Sequence, residues 1–126
     1  MKITRFEDLD CWQQARILVG HIYKAVRANK DFSKDFRLVN QIQDAAVSSM
    51  ANIAEGFSRR GNKEFVQFLF ISKSSAAEVQ SHLYVALDQN YIDDSNFKLI
   101  YDQAEKVSKL TSGLIKYLNS QLNKPK

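Results

Sequence analysis

The chain has 126 residues, which is enough for one domain whose core needs no disulfide or metal to hold it together. Hydrophobic residues make up 44% and charged residues 25%, a globular composition that excludes a disordered or fibrous chain. The net charge of +4 permits contact with phosphate backbones but does not require it.

Helix-breaking residues are scarce. The chain contains four glycines and a single proline, Pro125, which is the residue before the last. This disfavours a β-sandwich or barrel with many turns and favours a few long helices. The single cysteine, Cys11, excludes an intramolecular disulfide and a Cys-rich zinc site. No stretch reaches the ~18 apolar residues of a membrane span and no signal peptide is recognisable, so we expect a soluble, cytoplasmic protein with no membrane partner.

Apolar residues recur at intervals of three and four along four segments, which predicts four amphipathic helices. In the first segment, for example, Ala15, Leu18 and Ile22 share one face. The predicted helices span residues 9–29, 34–57, 63–89 and 95–122, joined by short polar links at residues 29–33, 58–62 and 90–95. We therefore predict an all-α protein, a single-domain, antiparallel, up-down-up-down four-helix bundle over residues 1–126.

The third predicted helix is more apolar than one inward face requires. Outside its inner stripe, Phe70, Ala77 and Tyr84 recur at intervals of seven. Two interpretations stay open: a broad interior face with tolerated apolar surface residues, or a subunit interface. We predict a homo-oligomer. The interface candidates on the second and third helices are Val47, Met50, Val66, Phe70, Ala77 and Tyr84.

Positive charge is concentrated near the end of the chain. Residues 95–126 carry six lysines against two carboxylates, a net charge of +4, whereas residues 62–94 carry a net charge of −3. The link before the third helix adds a smaller basic spot. A lysine-bearing helix face is either a solvated surface or a contact surface for nucleic acid. The candidates for contact with RNA or DNA are Arg59, Arg60, Lys63, Lys106, Lys109 and Lys116.

The sequence lacks the motifs of catalysis and of metal binding. It has no Gly-rich phosphate loop, no paired-histidine zinc motif and no nucleophile elbow. Serines and alanines cluster at residues 45–51 and 72–77, where packing of two helices is favoured over nucleophilic catalysis because no base is apparent by spacing. Glu78 and His82 are four apart, as in a surface pair. We expect no enzymatic activity, no catalytic residue, no metal site and no cofactor.

One motif stands out at the end of the second predicted helix. The run Ala51-Asn52-Ile53-Ala54-Glu55-Gly56-Phe57-Ser58-Arg59, with Gln41-Ile42 before it and Glu64-Phe65 and Glu78 after it, resembles the bacterial four helix bundle protein family. Its members are encoded in intervening sequences of 23S ribosomal RNA genes and are often labelled ribosomal proteins. The accessory variability proteins of diversity-generating retroelements are similar.

The resemblance implies a four-helix protomer that assembles as a ring-like homopentamer with a basic surface. For the retroelement members it also implies binding to nucleic acid and to a reverse transcriptase. This chain departs from the family pattern in having Gln43 and Asp44 where Arg usually follows Gln-Ile, and Ser74 where Gly is usual. The first departure removes positive charge and a partner for Glu78.

The motif residues Asn52, Glu55, Gly56, Glu64 and Glu78 are interpreted as structural. Gly56 lets the chain leave the helix or lets a neighbour approach. Glu55 pairs with Arg59 at i,i+4 or accepts amide hydrogens at the start of the third helix. The sequence therefore predicts a non-enzymatic, homo-oligomeric nucleic-acid-binding protein, with a protein-interaction scaffold as the alternative.

Overall fold

Five α-helices and one short 3₁₀ helix make up most of residues 2–122, the part of the chain that this computed structural model describes. The 3₁₀ helix is Phe6–Asp8, and the α-helices are α1 (Asp10–Ala28), α2 (Lys30–Lys34), α3 (Phe36–Phe57), α4 (Asn62–Asp88) and α5 (Asp94–Leu122). The all-α prediction is confirmed. The four long helices, α1, α3, α4 and α5, each begin and end within two residues of a predicted helix. Lys124 and Lys126 of the predicted basic tail lie outside the described residues.

The long helices surround one core in chain order. α3 packs between α1 and α4, and α5 packs between α4 and α1. Neighbours run antiparallel, because residue numbers rise along one helix as they fall along the other. Ser48 and Ser49 of α3 contact Ser75 and Ser72 of α4. Gln80 and Tyr84 of α4 contact Glu105 and Phe97 of α5. Cys11 and Gln14 of α1 contact Thr111 and Gln103 of α5. This arrangement is the up-down-up-down bundle expected from the short links.

Small residues let α3 and α4 approach each other closely. The Ser72 hydroxyl donates to the backbone carbonyl of Ser49 at 2.6 Å, and the hydroxyls of Ser48 and Ser75 are 2.8 Å apart. Ser49 and Ser72 are fully buried. The serines that the sequence assigned to helix packing therefore hold the two helices together through buried hydrogen bonds.

The segment expected to be a polar link, residues 29–33, is largely helical. The Asn29 side chain caps α2 by accepting a hydrogen bond from the Phe32 amide at 2.9 Å. Phe32 is fully buried and stacks on Tyr91 with ring centroids 5.2 Å apart. The link prediction was wrong here because one buried residue in a five-residue helix gives no periodic pattern.

Candidate nucleic-acid interface

The turn between α3 and α4 depends on a glycine. A Cβ atom at Gly56 would lie 2.8 Å from Phe65 Cδ1 and 2.8 Å from Phe68 Cβ, closer than real Cβ contacts come. Phe65 belongs to the first turn of α4 and packs edge-on against Phe57, with ring centroids 5.9 Å apart. Of the two roles considered for Gly56, the structure supports the close approach of a neighbour, since Phe65 and Phe68 of α4 occupy the space that a side chain would need.

Arg59 is held in place by two contacts at this turn. Its Nη2 lies 2.6 Å from Glu55 Oε1, the i,i+4 ion pair expected from the sequence, and its guanidinium lies 4.8 Å from the centre of the Phe68 ring. The Glu55 carboxylate therefore offsets the Arg59 charge. Arg60 and Lys63 are exposed and form no ion pair with any residue in the described part of the chain.

The other predicted contact residues lie on α5. Lys106, Lys109 and Lys116 are exposed, and their spacing of three and seven places them along the same outward side of the helix. Lys106 and Lys116 are about 15 Å apart along the axis at 1.5 Å per residue. Among the described residues, none of the three has an ion-pair partner, whereas Lys98 is paired with Asp102 at 3.0 Å.

A groove connects the turn with the end of α5. Its volume is about 670 Å³, and it is lined by residues from the N-terminal segment, α3, α4 and α5. Its polar side chains come from the N-terminal segment, the α3–α4 turn, α4 and α5: Lys2, Arg59, Arg60, Asn62 and Gln121. Its aromatic side chains are Phe57, Phe65 and Tyr117. No lining residue is acidic. The sequence-predicted Arg59 and Arg60 lie in this groove, while Lys63 and the three α5 lysines do not line it.

Lys2 and Tyr117 escaped prediction. They are 115 positions apart in the chain, and neither belongs to a motif, so only the folded arrangement brings them to one groove. The sequence held a partial signal: Tyr117 stands beside Lys116 and off the apolar stripe of Leu114 and Leu118. The structure leaves its ring 59% exposed.

The remaining motif residues are spread along the contact between α3 and α4. The Asn52 amide donates to the Ser48 carbonyl at 2.9 Å, and Glu78 contacts His82 at 3.2 Å as its spacing suggested. Glu64 is exposed in the first turn of α4, where a carboxylate stabilises the helix dipole. Glu78 lines a pocket of about 460 Å³ with Arg37, Asn40, Gln41 and Asp44, and no other motif residue lines that pocket. In the described residues, no group of His, Cys, Asp or Glu is arranged to hold a metal ion.

The candidate oligomer interface divides into exposed and buried members. Phe70 and Tyr84 are 51% and 52% exposed, and Val47 and Ala77 are also exposed. Met50 is half-buried against the core. Val66 is a correction: it is only 8% exposed and belongs to the chain's own core, so it offers no surface to a second copy.

Two exposed apolar residues on α4 extend the interface candidates. Ile71 and Val85 are nearly half exposed and follow Phe70 and Tyr84 directly in the chain. With Phe70, Ala77 and Tyr84 they form the α4 stripe. A helical wheel drawn one position wider would have included them.

Comparison with known proteins identifies the family. The family model described as 23S rRNA-intervening sequence protein matches residues 7–113. The chain belongs to this family. The resemblance carried by the motif at the end of α3 is thereby confirmed. A search of curated proteins found no match.

A solved structure shares this fold. A crystal structure from Bacteroides thetaiotaomicron VPI-5482, of a protein with unknown function from the S23 ribosomal protein family, is 23% identical with a TM-score of 0.75, covering 84% of this chain and 98% of that one. The groove residues Tyr117 and Gln121 lie beyond the residues matched by the family model. In the described part of the chain, no helix has an apolar stretch that could cross a bilayer.

Proposed function

We propose that this member of the 23S rRNA-intervening sequence protein family is a non-enzymatic homo-oligomer that binds the phosphate groups of RNA or DNA. The carrying observation is that basic residues at the α3–α4 turn and along one side of α5 are exposed and have no ion-pair partner among the described residues. These residues are Arg60, Lys63, Lys106, Lys109 and Lys116; other exposed basic residues, such as those of α1 and α2, lie elsewhere and serve as controls. Because lysines act as point charges, we expect binding that depends on charge and salt more than on base sequence.

Charge segregation supports the assignment of this surface. Residues 95–126 have a net charge of +4 and residues 62–94 a net charge of −3, so a polyanion is attracted to the last segment of the chain and repelled by the segment before it. Lys116 is the neighbour of Tyr117 and therefore lies at the same end of the bundle as Arg60. The basic residues thus extend from the middle of α5 towards the α3–α4 turn.

A comparison of lysine variants tests this surface. We expect the triple variant Lys106→Gln, Lys109→Gln, Lys116→Gln to bind a fluorescein-labelled RNA at least about tenfold more weakly in 50 mM salt, because each lost phosphate contact reduces counterion release. The matched control is Lys24→Gln, Lys30→Gln, Lys34→Gln, three exposed lysines of α1 and α2. Equal losses in both triple variants would contradict the assignment, because only the net charge would then matter.

Self-association is proposed for the α4 stripe. Phe70, Ile71, Tyr84 and Val85 leave a row of apolar surface that a second copy would cover. The resemblance implies five copies in a ring, and a ring would repeat the α5 lysines with the symmetry of the assembly. We expect wild-type protein to sediment well above its 14.5 kDa chain mass and Phe70→Glu to shift it towards the monomer. A wild-type monomer at micromolar concentration would contradict self-association.

A protein-interaction scaffold is the second candidate, favoured by the same exposed stripe. The resemblance to retroelement accessory proteins points to a reverse transcriptase as one partner. This function predicts a complex with a purified reverse transcriptase that survives nuclease treatment and is lost in Tyr84→Glu. A complex that disappears with nuclease would assign the interaction to bridging nucleic acid instead.

A further inference from the structure

We propose that the groove between the α3–α4 turn and the end of α5 holds one unpaired nucleotide of RNA or DNA. The phosphate is bound by Arg60, and the base lies against the Tyr117 ring. This inference rests on the proposed nucleic-acid binding and specifies its ligand: a single-stranded or flipped-out nucleotide rather than a fully paired duplex.

The charges lining the groove favour a phosphate. Lys2, Arg59 and Arg60 line it together with no carboxylate. Because Glu55 already pairs with Arg59 at 2.6 Å, Arg60 and Lys2 supply the available positive charge. Arginine is the residue best suited to phosphate, since its planar guanidinium donates two parallel hydrogen bonds.

The position of the phosphate follows from the surroundings of the groove. An adjoining pocket of about 280 Å³ shares Leu9 and Leu114 with it and contains Asp8 and Asp10. These carboxylates repel an anion, so the phosphate is expected beside Arg60 and away from this pocket. The base and the sugar of a nucleotide are uncharged, so these carboxylates do not repel them.

The Tyr117 ring provides a surface for a base. It is 59% exposed and forms no aromatic pair with any ring of the described chain, whereas Phe57 and Phe65 pack against each other. Exposed aromatic rings beside cations are the stacking platforms of single-strand-binding proteins. The amide side chains of Asn62 and Gln121 also line the groove and can donate to or accept from a base edge.

The size of the groove selects an unpaired nucleotide. Its volume of about 670 Å³ lies within the range of roughly 300–1,000 Å³ typical of sites for small ligands. A duplex keeps its bases stacked inside and cannot bring one against Tyr117 without opening a base pair. Paired nucleic acid is therefore expected to contact the α5 lysines but not the groove.

The test separates stacking from apolar contact and from charge. Fluorescence anisotropy is measured with fluorescein-labelled eight-nucleotide uridine and thymidine strands and with a fully paired, blunt-ended hairpin whose loop is a non-nucleotide linker, so that it contains no unpaired nucleotide. We expect Tyr117→Leu to weaken binding of the single strands by about fivefold to 140-fold, the range for losing one stacked base, and to leave the hairpin unchanged. Tyr117→Phe keeps the ring and should bind as wild type.

Control variants locate the effect in the groove. Phe36→Leu changes an exposed ring at the opposite end of α3 and should leave single-strand binding unchanged. Arg60→Gln should weaken single strands more than the hairpin. Far-UV circular dichroism checks that every variant is folded. If a variant does not fold, 5-iodouracil photocrosslinking of the wild-type protein is used in its place. In that experiment the strand should become attached to Tyr117.

The outcomes for the two functions are distinguishable. If Tyr117→Leu binds single strands as wild type does while the α5 triple-lysine variant loses affinity, the groove proposal is overturned and nucleic-acid binding stands. If the wild type binds neither strand nor hairpin in 50 mM salt, both are overturned. A loss of affinity in Tyr117→Leu for uridine strands, thymidine strands or both supports the groove and shows which of the two strands it accepts.

Discussion

The hydroxyl of Tyr91 donates a hydrogen bond to Asp35 Oδ2 at 2.9 Å, while Oδ1 of the same carboxylate accepts from the Leu38 amide at 3.1 Å. Tyr91 lies in the turn between α4 and α5, directly after Asn90. Asn90 has a φ of 62° and is the non-glycine residue with a positive φ in the described part of the chain. Asp35 caps α3. One carboxylate thus begins a helix and fastens a distant turn to it.

Removal of the Tyr91 hydroxyl tests this connection. We expect Tyr91→Phe to lower the free energy of unfolding, because the hydrogen bond is lost while stacking on Phe32 is kept. Urea denaturation measures the change. Tyr23→Phe is the control, since the Tyr23 hydroxyl has no hydrogen-bond partner among the described residues. Equal stability of Tyr91→Phe and wild type would show that the bond contributes nothing.

The Tyr91–Asp35 bond also predicts a pH dependence. The hydrogen bond to Asp35, with burial second, raises the pKa of Tyr91 above its ordinary value of 10.0. A group whose pKa is higher in the folded state stabilises the fold fully below its unfolded pKa, and this contribution is lost as pH rises through the folded pKa. The stability difference between wild type and Tyr91→Phe should therefore shrink above pH 10. A difference that stays constant would contradict the assignment.

Substitution of Gly56 tests the close approach of α3 and α4. We expect Gly56→Ala to destabilise the protein by about 1–3 kcal/mol, because the added methyl group meets Phe65 and Phe68. Gly113→Ala is the matched control: Gly113 lies inside α5, a Cβ atom there would have nothing within 4 Å, and alanine should stabilise by about 0.5–1 kcal/mol. Thermal unfolding of both variants decides. Stabilisation in both would mean that the turn relaxes without cost.

The buried thiol of Cys11 predicts a loss of stability in alkali. Burial, the largest cause, raises the pKa of Cys11 from 9.0 to about 11. The unfolded chain ionises first, so this contribution is complete below pH 9 and is lost as pH rises to about 11. Two pKa units correspond to about 2–3 kcal/mol. Relative to Cys11→Ala, the wild type should lose stability over this interval; parallel pH profiles would contradict the prediction.

The long helices followed from the sequence because their physical cause is periodic. Leu18 and Ile22 of α1, like Val79 and Leu83 of α4, repeat at the spacing that buries one face, so burial and helix bounds come from the same pattern. α2 was missed because Phe32 is its only buried residue. Val66 was assigned to the surface because it lies beside the main apolar stripe of α4. The sequence pattern does not show how wide a face of the helix the rest of the bundle covers, and this face includes Val66.

The candidate site was predictable only in part. The sequence shows where the basic residues are, including Arg59, Arg60 and the α5 lysines. Whether their charges are free to bind a ligand depends on the side chains beside them. The Glu55 carboxylate occupies Arg59, a contact that i,i+4 spacing suggests. The groove depends on Lys2, Arg60 and Tyr117, which three separate segments bring together, and no local pattern encodes such a meeting.

The salt dependence of single-strand affinity tests nucleic-acid binding most directly. If Arg60, Lys63, Lys106, Lys109 and Lys116 each neutralise one phosphate, log K should fall with log salt concentration at a slope of about −3.5 per protomer. The triple-lysine variant of α5 should reduce that slope by about 2. A slope near zero, or no binding of any strand in 50 mM salt, would contradict the function proposed for this basic surface.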